Sequence, residues 1–318
     1  MGEMTLRGNI TKKSTSNHEE WKELRHKYIG GSDAAAVVGM NSYVSAYSLW
    51  AEKTGILPGF GGNLATEVGT YLEEFVAQKF AEETGKKVRR SNLSWFNDLY
   101  PWAIANIDRE IVGEDAGLEI KTTDSLNMKK FSGGEYPANY YVQIVHYLAV
   151  TGKKRWYLAV LIGNREFKWF TIERDEEEIK ALMEAEEAFW TRVKCNIPPV
   201  ADGSSATGEA LKTIYPNSND AAIGIGDFER DLDKYFLLKD QSKELDSQIR
   251  EIENKIKAHL GDCGAGEGER YKVSWKTQTR QSFDAKLFTK DHPEMDMSKY
   301  FKSSNYRTFR VTDKKVSV

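Results

Sequence analysis

Cysteine is nearly absent from this chain: Cys195 and Cys263 are the only two in 318 residues, and neither belongs to a C-x-x-C pair. A disulfide framework, a structural zinc site and a four-cysteine iron–sulfur cluster are therefore unsupported. The five histidines (His18, His26, His146, His259, His292) show no ligand spacing, so a bound metal has to be held by oxygen. No window approaches the ~18 consecutive apolar residues of a membrane span. The opening stretch MGEMTLRGNITKKSTS has no apolar h-region, and Leu6 stands where a myristoylation signal needs Ser or Thr. A cytoplasmic protein without a membrane partner is expected. The basic excess of a nonspecific DNA coat is missing too, with 45 Lys+Arg against 48 Asp+Glu and a net charge of −3. What is present, 40% apolar, 29% charged and 12% aromatic residues, describes a folded chain rather than a disordered or fibrous one. Its length fits one large or two smaller domains at roughly 100–200 residues each.

Charge is unevenly spread. Residues 173 to 187 carry eight acids against two bases, whereas residues 270 to 318 carry twelve Lys/Arg against five Asp/Glu. The basic C-terminal end permits a polyanion partner, although a solvated mixed surface has the same composition. Residues 1–15 read as a flexible polar arm. Asn17 followed by Glu20 has capping-box spacing and predicts a helix carrying Trp21, Leu24 and Tyr28. Gly30-Gly31 breaks it, and Ser32-Asp33 predicts the N-cap of a second helix ending at Gly39. Further helices are predicted over about 45 to 54, 66 to 83, 138 to 150 and 175 to 194. Strands are predicted over 103 to 112, 117 to 123, 156 to 162 and 167 to 172. The strand–helix–strand passage implies a parallel crossover on a mixed sheet. Residues 16–200 form this core, 201–227 a Gly/Ser/Asn-rich linker, and 228–318 a C-terminal extension. In the extension Leu238, Leu245, Ile249, Ile252 and Ile256 mark one long amphipathic helix or a helical pair over residues 228 to 260, followed by a small β element near Tyr271 to Trp275.

The chemistry concentrates in Asp108 to Lys121. On a strand, residues i and i+2 share a face, so Glu119 and Lys121 project together while Leu118 and Ile120 point into the core. A hairpin closed by residues 113 to 117 brings Asp108 toward them from the partner strand. Glu73 lies on the inward stripe of its helix with Gly69, Val76 and Phe80, whereas Glu74 and Gln78 lie on a wetter face. Carboxylates with an adjacent lysine suit phosphodiester hydrolysis: hard oxygens hold Mg²⁺, and the amine positions the attacking water. The Ile120 carbonyl lies between the two side chains that matter. A cross-strand salt bridge explains the same residues equally well. Gln143 shares a helix face with Tyr140 and Tyr147, where a glutamine either satisfies backbone groups or holds water or phosphate. Arg25 and the Gly30-Gly31-Ser32-Asp33 turn could bind a terminal phosphate, or form an ordinary capped turn.

Several blocks together resemble the YqaJ-like viral recombinases, a branch of the phage lambda exonuclease group within the restriction-endonuclease-like PD-(D/E)XK nucleases. They are Ile29-Gly30-Gly31-Ser32-Asp33-Ala34, Leu49-Trp50 with Lys53-Thr54-Gly55, Gly69 with Leu72-Glu73, and Pro101-Trp102 with Ala105 and Asp108. Leu118-Glu119-Ile120-Lys121-Thr122 and Tyr140-Tyr141-Val142-Gln143 with His146-Tyr147-Leu148 complete the set. The likeness spans about residues 20 to 200. Ile107 stands where the signature has proline, and the extension after about residue 205 is absent from the compact lambda enzyme.

The resemblance implies an α/β, restriction-endonuclease-like core, a mixed β-sheet flanked by helices, with a C-terminal helical and small β extension. It implies a hydrolase: an Mg²⁺-dependent 5′-to-3′ exonuclease on linear double-stranded DNA, acting in phage-type DNA recombination by single-strand annealing. Glu73, Asp108, Glu119, Lys121 and Gln143 match the catalytic positions. Asp108, Glu119, Glu73 and the Ile120 carbonyl are the expected metal donors for Mg²⁺, with Mn²⁺ as the alternative ion. Arg25, Ser32 and Tyr140 are the expected 5′-phosphate and DNA contacts. Expected partners are DNA ends and a single-strand annealing protein in the bacterial host cytoplasm, with a homo-oligomer, a ring trimer by analogy. The rival readings are a structure- or sequence-specific endonuclease and a non-catalytic DNA-binding or partner-recruiting module.

Overall fold

The computed structural model describes residues 8–14 and 18–314, and of residues 18–22 only the helical backbone. In chain order the first unit contains β1 (Ile10–Ser14), α1 (His18–Lys27), β2 (Ile29–Gly30), α2 (Gly31–Val37), α3 (Ala46–Lys53) and α4 (Leu64–Thr84). Five strands follow: β3 (Val88–Arg90), β4 (Leu93–Asn97), β5 (Ala103–Asn106), β6 (Arg109–Ile111) and β7 (Ala116–Thr123). Then come α5 (Ala138–Thr151), β8 (Arg155–Ile162), β9 (Glu166–Glu173), α6 (Glu176–Cys195) and α7 (Ser205–Ile214). The chain divides after Tyr215. The second unit holds α8 (Glu229–Leu260), the antiparallel pair β10 (Ala265–Glu267) and β11 (Lys272–Ser274), and α9 (Ala285–Asp291). Among the described residues no helix is long and apolar enough to cross a membrane.

The first unit is built on a five-stranded mixed sheet in the order β3-β6-β7-β8-β9. β7 and β8 run parallel, joined by α5, and the other pairs are antiparallel. Side-chain alternation sorts the two faces. Ala116, Leu118 and Ile120 of β7, with Tyr157 and Ala159 of β8, pack against Val76, Ala77 and Phe80 of α4. Trp156, Leu158, Val160 and Ile162 face the other way, into a larger core shared with Ile144 and Leu148 of α5 and Ile179 and Met183 of α6. A helix-flanked mixed sheet is the architecture expected of a restriction-endonuclease-like core. A second sheet, β1-β4-β5-β2, adjoins it. His146 of α5 ties β5 to α6, with its ring nitrogens 2.8 Å from Glu186 Oε1 and 3.0 Å from the Ile104 carbonyl.

Four expectations are corrected. Residues 10–14, expected in a flexible arm, form β1, an edge strand paired antiparallel to β4; its Lys12 ammonium lies 3.5 Å from the Trp95 ring centroid, which offsets its polar composition. Residues 205–214, expected in a linker, form α7. Thr207 and Ala210 are buried there, and the Thr207 hydroxyl donates to Ser45 at the start of α3 (2.8 Å). The strand predicted over 103 to 112 is broken at Ile107-Asp108 into β5 and β6, which belong to different sheets. Finally, α2 starts two residues early: Gly30, not Ser32, is its N-cap, and the Asp33 carboxylate accepts from the Gly30 N–H (3.0 Å). Asn17, expected to cap α1, lies outside the described residues, as does the Trp21 side chain.

Candidate active site

The break before β6 creates the site. β6 pairs with β7 only through Arg109–Leu118 and Glu110–Gly117, so the β7 backbone beyond Leu118 has no strand on that side. A bare buried N–H is costly. The Ile120 N–H is taken by the Asp108 carboxylate, which accepts it at 2.8 Å. In an extended strand one residue's N–H and C=O point to the same side, so the Ile120 carbonyl faces the same gap.

Glu119 and Lys121 point to the α5 face of β7, and Glu119 is almost fully buried there rather than lying on an open polar face. Its Oε1 receives the Lys121 ammonium at 2.6 Å and the Gln143 amide at 2.7 Å. Gln143 also donates to the Tyr147 hydroxyl at 2.8 Å, which fixes its amide orientation. Glu119 Oε2 is buried and accepts no hydrogen bond. The neighbourhood is close-packed. A Cβ on Gly31 would fall 2.4 Å from Tyr147 Cε1 and 3.1 Å from Gln143 Cγ, so only glycine lets α2 lie against α5. A Cβ on Gly117 would fall 2.4 Å from the Trp156 ring.

Burial of these charges shifts their proton affinities. Glu119 is pushed up to about 8, first by loss of water and then by the Asp108 and Glu73 charges, with Lys121 pulling the other way. Burial likewise raises Asp108, against the opposing pull of Lys121, the Ile120 N–H and Arg109. Burial also opposes the charge on Lys121, but Glu119 and Asp108 outweigh it and hold the ammonium above its ordinary value. Glu73 is raised by burial and by Asp108.

Of the residues expected from the sequence, Asp108, Glu119, Lys121 and Gln143 are brought together. Tyr140 flanks them, with the Lys121 ammonium 5.4 Å from its ring centroid. Glu73 stands at the margin, half-buried, 3.8 Å from the Arg109 guanidinium. Among the described residues no three His, Cys, Asp or Glu side chains form a ready cluster for a metal ion, so three acidic donors do not meet at one point as expected. Ser32 is exposed in the first turn of α2. Arg25 lies 3.8 Å from Asp33 and lines a cavity of about 580 Å³ with His26, Glu52, Asn63, Thr66 and Thr70.

Two structural contributors escape the sequence reading. Arg109 is buried, donates to the Asp108 carbonyl (2.9 Å) and pairs with Glu74 (3.1 Å) as well as Glu73. Its signal is its position directly after Asp108 in a strand, which sends it to the α4 side. The Lys53 ammonium, fully buried, pairs with Asp33 at 2.6 Å and also donates to the Arg25 carbonyl, joining α3, α2 and the end of α1.

The donor set fits a hard divalent cation. Burial raises the proton affinity of both carboxylates, the Asp108 charge raises that of Glu119 further, and the buried Glu119 Oε2 accepts no hydrogen bond. Below about pH 8 a proton on Glu119 relieves this repulsion, and a hard divalent cation would take the proton's place between the two carboxylates.

Comparison with known proteins bears on this arrangement. Residues 20–154 match the YqaJ-like viral recombinase domain. The chain is 38% identical over 310 residues to the uncharacterized protein YqaJ of Bacillus subtilis (strain 168), covering 96% of this chain and 97% of that protein. It is also similar to the crystal structure of an alkaline exonuclease (LHK-Exo) from Laribacter hongkongensis, with 21% identity, a TM-score of 0.48, and coverage of 56% of this chain and 94% of that one. A phage related exonuclease from Haemophilus somnus 129PT gives 12% identity, a TM-score of 0.42, and coverage of 56% and 99%. With the near full-length match to YqaJ and the domain match over the segment that builds the Asp108–Glu119–Lys121 site, this chain belongs to the YqaJ-like viral recombinase family.

Proposed function

We propose that this protein is a metal-dependent deoxyribonuclease that degrades linear double-stranded DNA from its ends, 5′ to 3′, for recombination by single-strand annealing. The observation that carries the reading is the Glu119 carboxylate, held by Lys121 and Gln143 through one oxygen while the other is buried and bare beside Asp108. Family membership supports DNA recombination as the setting.

Asp108, Glu119 Oε2 and the Ile120 carbonyl are the groups that would hold the ion, Mg²⁺ or Mn²⁺, with Glu73 joining on release from Arg109. Such an ion supplies Lewis acidity toward the scissile phosphate and the attacking water. Gln143 and Lys121 restrain Glu119 so that one oxygen stays available. The Lys121 ammonium reaches the same point, where it orients the water and offsets charge developing on the phosphate. Arg25 and Ser32 are assigned to the 5′-terminal phosphate, and Tyr140 to a DNA contact beside Lys121. The expected cellular partner is an annealing protein, and the expected assembly a ring.

The test is release of acid-soluble nucleotide from blunt linear duplex with and without a 5′ phosphate, from closed circular duplex, and with chelator. Release from the linear substrate alone, abolished by chelator and faster with a 5′ phosphate, is the expected result. Cleavage of the closed circle makes the protein an endonuclease, and release that survives chelation removes the metal. Equal rates with and without the phosphate remove Arg25 and Ser32 from the assignment.

A further inference from the structure

α8 is 32 residues long, and Leu260 is its only buried residue. Leu238, Leu245, Ile249, Ile252 and Ile256 are all exposed along one side. Their spacing places Leu238, Leu245 and Ile252 at heptad d and Ile249 and Ile256 at heptad a, with Tyr235 and Ser242 filling the remaining a sites. From Leu238 to Ile256 every apolar residue falls on a or d, the narrow seam of a helix pair rather than the broader face of a helix docked on a globular core, while Leu232, Phe236 and Leu237 lie off the seam in the first turns of α8.

The flanking charges choose the occupant and the direction. Between Lys234 and Ile256 the e positions are Lys239, Asp246 and Glu253, and the g positions are Lys234, Gln241, Gln248 and Lys255. In a parallel in-register pair, each g faces the next e. Lys234 then meets Lys239, Gln241 meets Asp246, and Gln248 meets Glu253, with no pair of opposite charges. An antiparallel pair in which Ile249 layers with Leu245 also layers Ile256 with Leu238, so four of the five apolar seam residues have apolar opposites and Ile252 meets Ser242. In that register Lys239 faces Glu253 twice, Gln241 faces Lys255, and Gln248 faces its own copy. The one unfavourable contact is Asp246 against itself on the two-fold axis. Sliding by a heptad in one direction buries Asp231 against Ile256, and in the other sets Asp246 against Glu253.

We propose that α8 is a homotypic docking surface, through which two copies of this chain pair as an antiparallel coiled coil centred near residue 247. The overlap, residues 235 to 259, spans ~37 Å at 1.5 Å per residue. A two-fold interface is isologous, so this pairing does not by itself close a three-fold ring.

Sedimentation equilibrium of the full chain over a range of concentrations tests this. Leu245→Asp is expected to abolish the self-association step. Lys239→Glu puts like charges against Glu253 at both ends and is expected to raise its dissociation constant about tenfold. Adding Glu253→Lys to the same chain restores the complementary pairs, and with them association to within about threefold of the unaltered protein. In a parallel pair Lys239→Glu would tighten association by relieving the contact with Lys234. These positions are exposed, and circular dichroism should show unchanged helix in all three variants. An unchanged association state in Leu245→Asp, tighter association in Lys239→Glu, or no recovery in the double variant overturns the proposal. If the unaltered chain does not self-associate, α8 is left to a different protein and the proposal fails.

Discussion

Replacing Glu119 by glutamine isolates the cost of burying a carboxylate beside Asp108. The folded protein holds the Glu119 proton up to about pH 8, against an ordinary value of 4.5, because burial and the Asp108 charge disfavour ionisation. Between those two pH values the folded state binds more protons than the unfolded state, so stability falls as pH rises and levels off above about 8. A tenfold change in proton affinity is ~1.4 kcal/mol, so Glu119 carries at most ~5 kcal/mol. Because Asp108 and Glu119 titrate as a pair, ~2–4 kcal/mol is the share expected from Glu119 alone. Glu119→Gln keeps an oxygen for Lys121 and Gln143 and removes the ionisation. Metal-free urea unfolding at pH 5 and pH 9 should therefore show the unaltered protein losing ~2–4 kcal/mol more than the variant over that interval. Addition of Mg²⁺ at pH 9 should recover stability in the unaltered protein and leave Glu119→Gln nearly unmoved. Equal losses in the two proteins, or an unaltered protein that gains stability toward pH 9, refute the reasoning.

Other substitutions probe the rest of the site. Lys121→Ala is expected to lower nucleotide release from linear duplex by at least about 100-fold while duplex binding at fixed salt stays within severalfold, since the amine acts on the reacting groups; unchanged release removes Lys121 from the chemistry. Gln143→Leu frees Glu119 from its orienting donor and leaves the Tyr147 hydroxyl without that contact. Release rates should fall about 10- to 100-fold with a correspondingly weaker dependence on metal concentration. Gly31→Ala drives a methyl into Tyr147 and Gln143 and should cost ~1–3 kcal/mol in urea unfolding along with activity. Lys53→Met leaves Asp33 buried without its ammonium partner and should cost ~3 kcal/mol, read from the same unfolding curves.

Much of the site was legible because it rests on local rules. Strand alternation separates Glu119 and Lys121 from Leu118 and Ile120, and helical period separates Val76 and Phe80 from Glu74 and Gln78, which are exposed and joined by a hydrogen bond of 3.3 Å. The parallel β7–α5–β8 crossover follows from element order. The break at Ile107-Asp108 was hidden because apolar residues lie on both sides of it, Ala103 to Ala105 with Ile107 before and Ile111-Val112 after, without a Gly or Pro to mark the interruption. β1 was hidden by composition: Ile10 to Ser14 is largely polar because it is an edge whose outer side chains meet water. α7 was hidden among Gly and Ser, and its helix is held by packing against α3 through Thr207 rather than by strong propensity. Glu73 looked inward by period, yet the buried Arg109, which strand alternation sends to the α4 side, holds it at the margin of the Asp108–Glu119 pair.

The central claim is that a divalent cation belongs between Asp108 and the bare oxygen of Glu119. Crystals of the unaltered protein and of Asp108→Asn, soaked in Mn²⁺ and measured at the manganese absorption edge, address it directly. One anomalous peak within bonding distance of Asp108 and Glu119 Oε2, lost in the variant, is the predicted result. A peak elsewhere with none at this position, or a peak undiminished in Asp108→Asn, contradicts it.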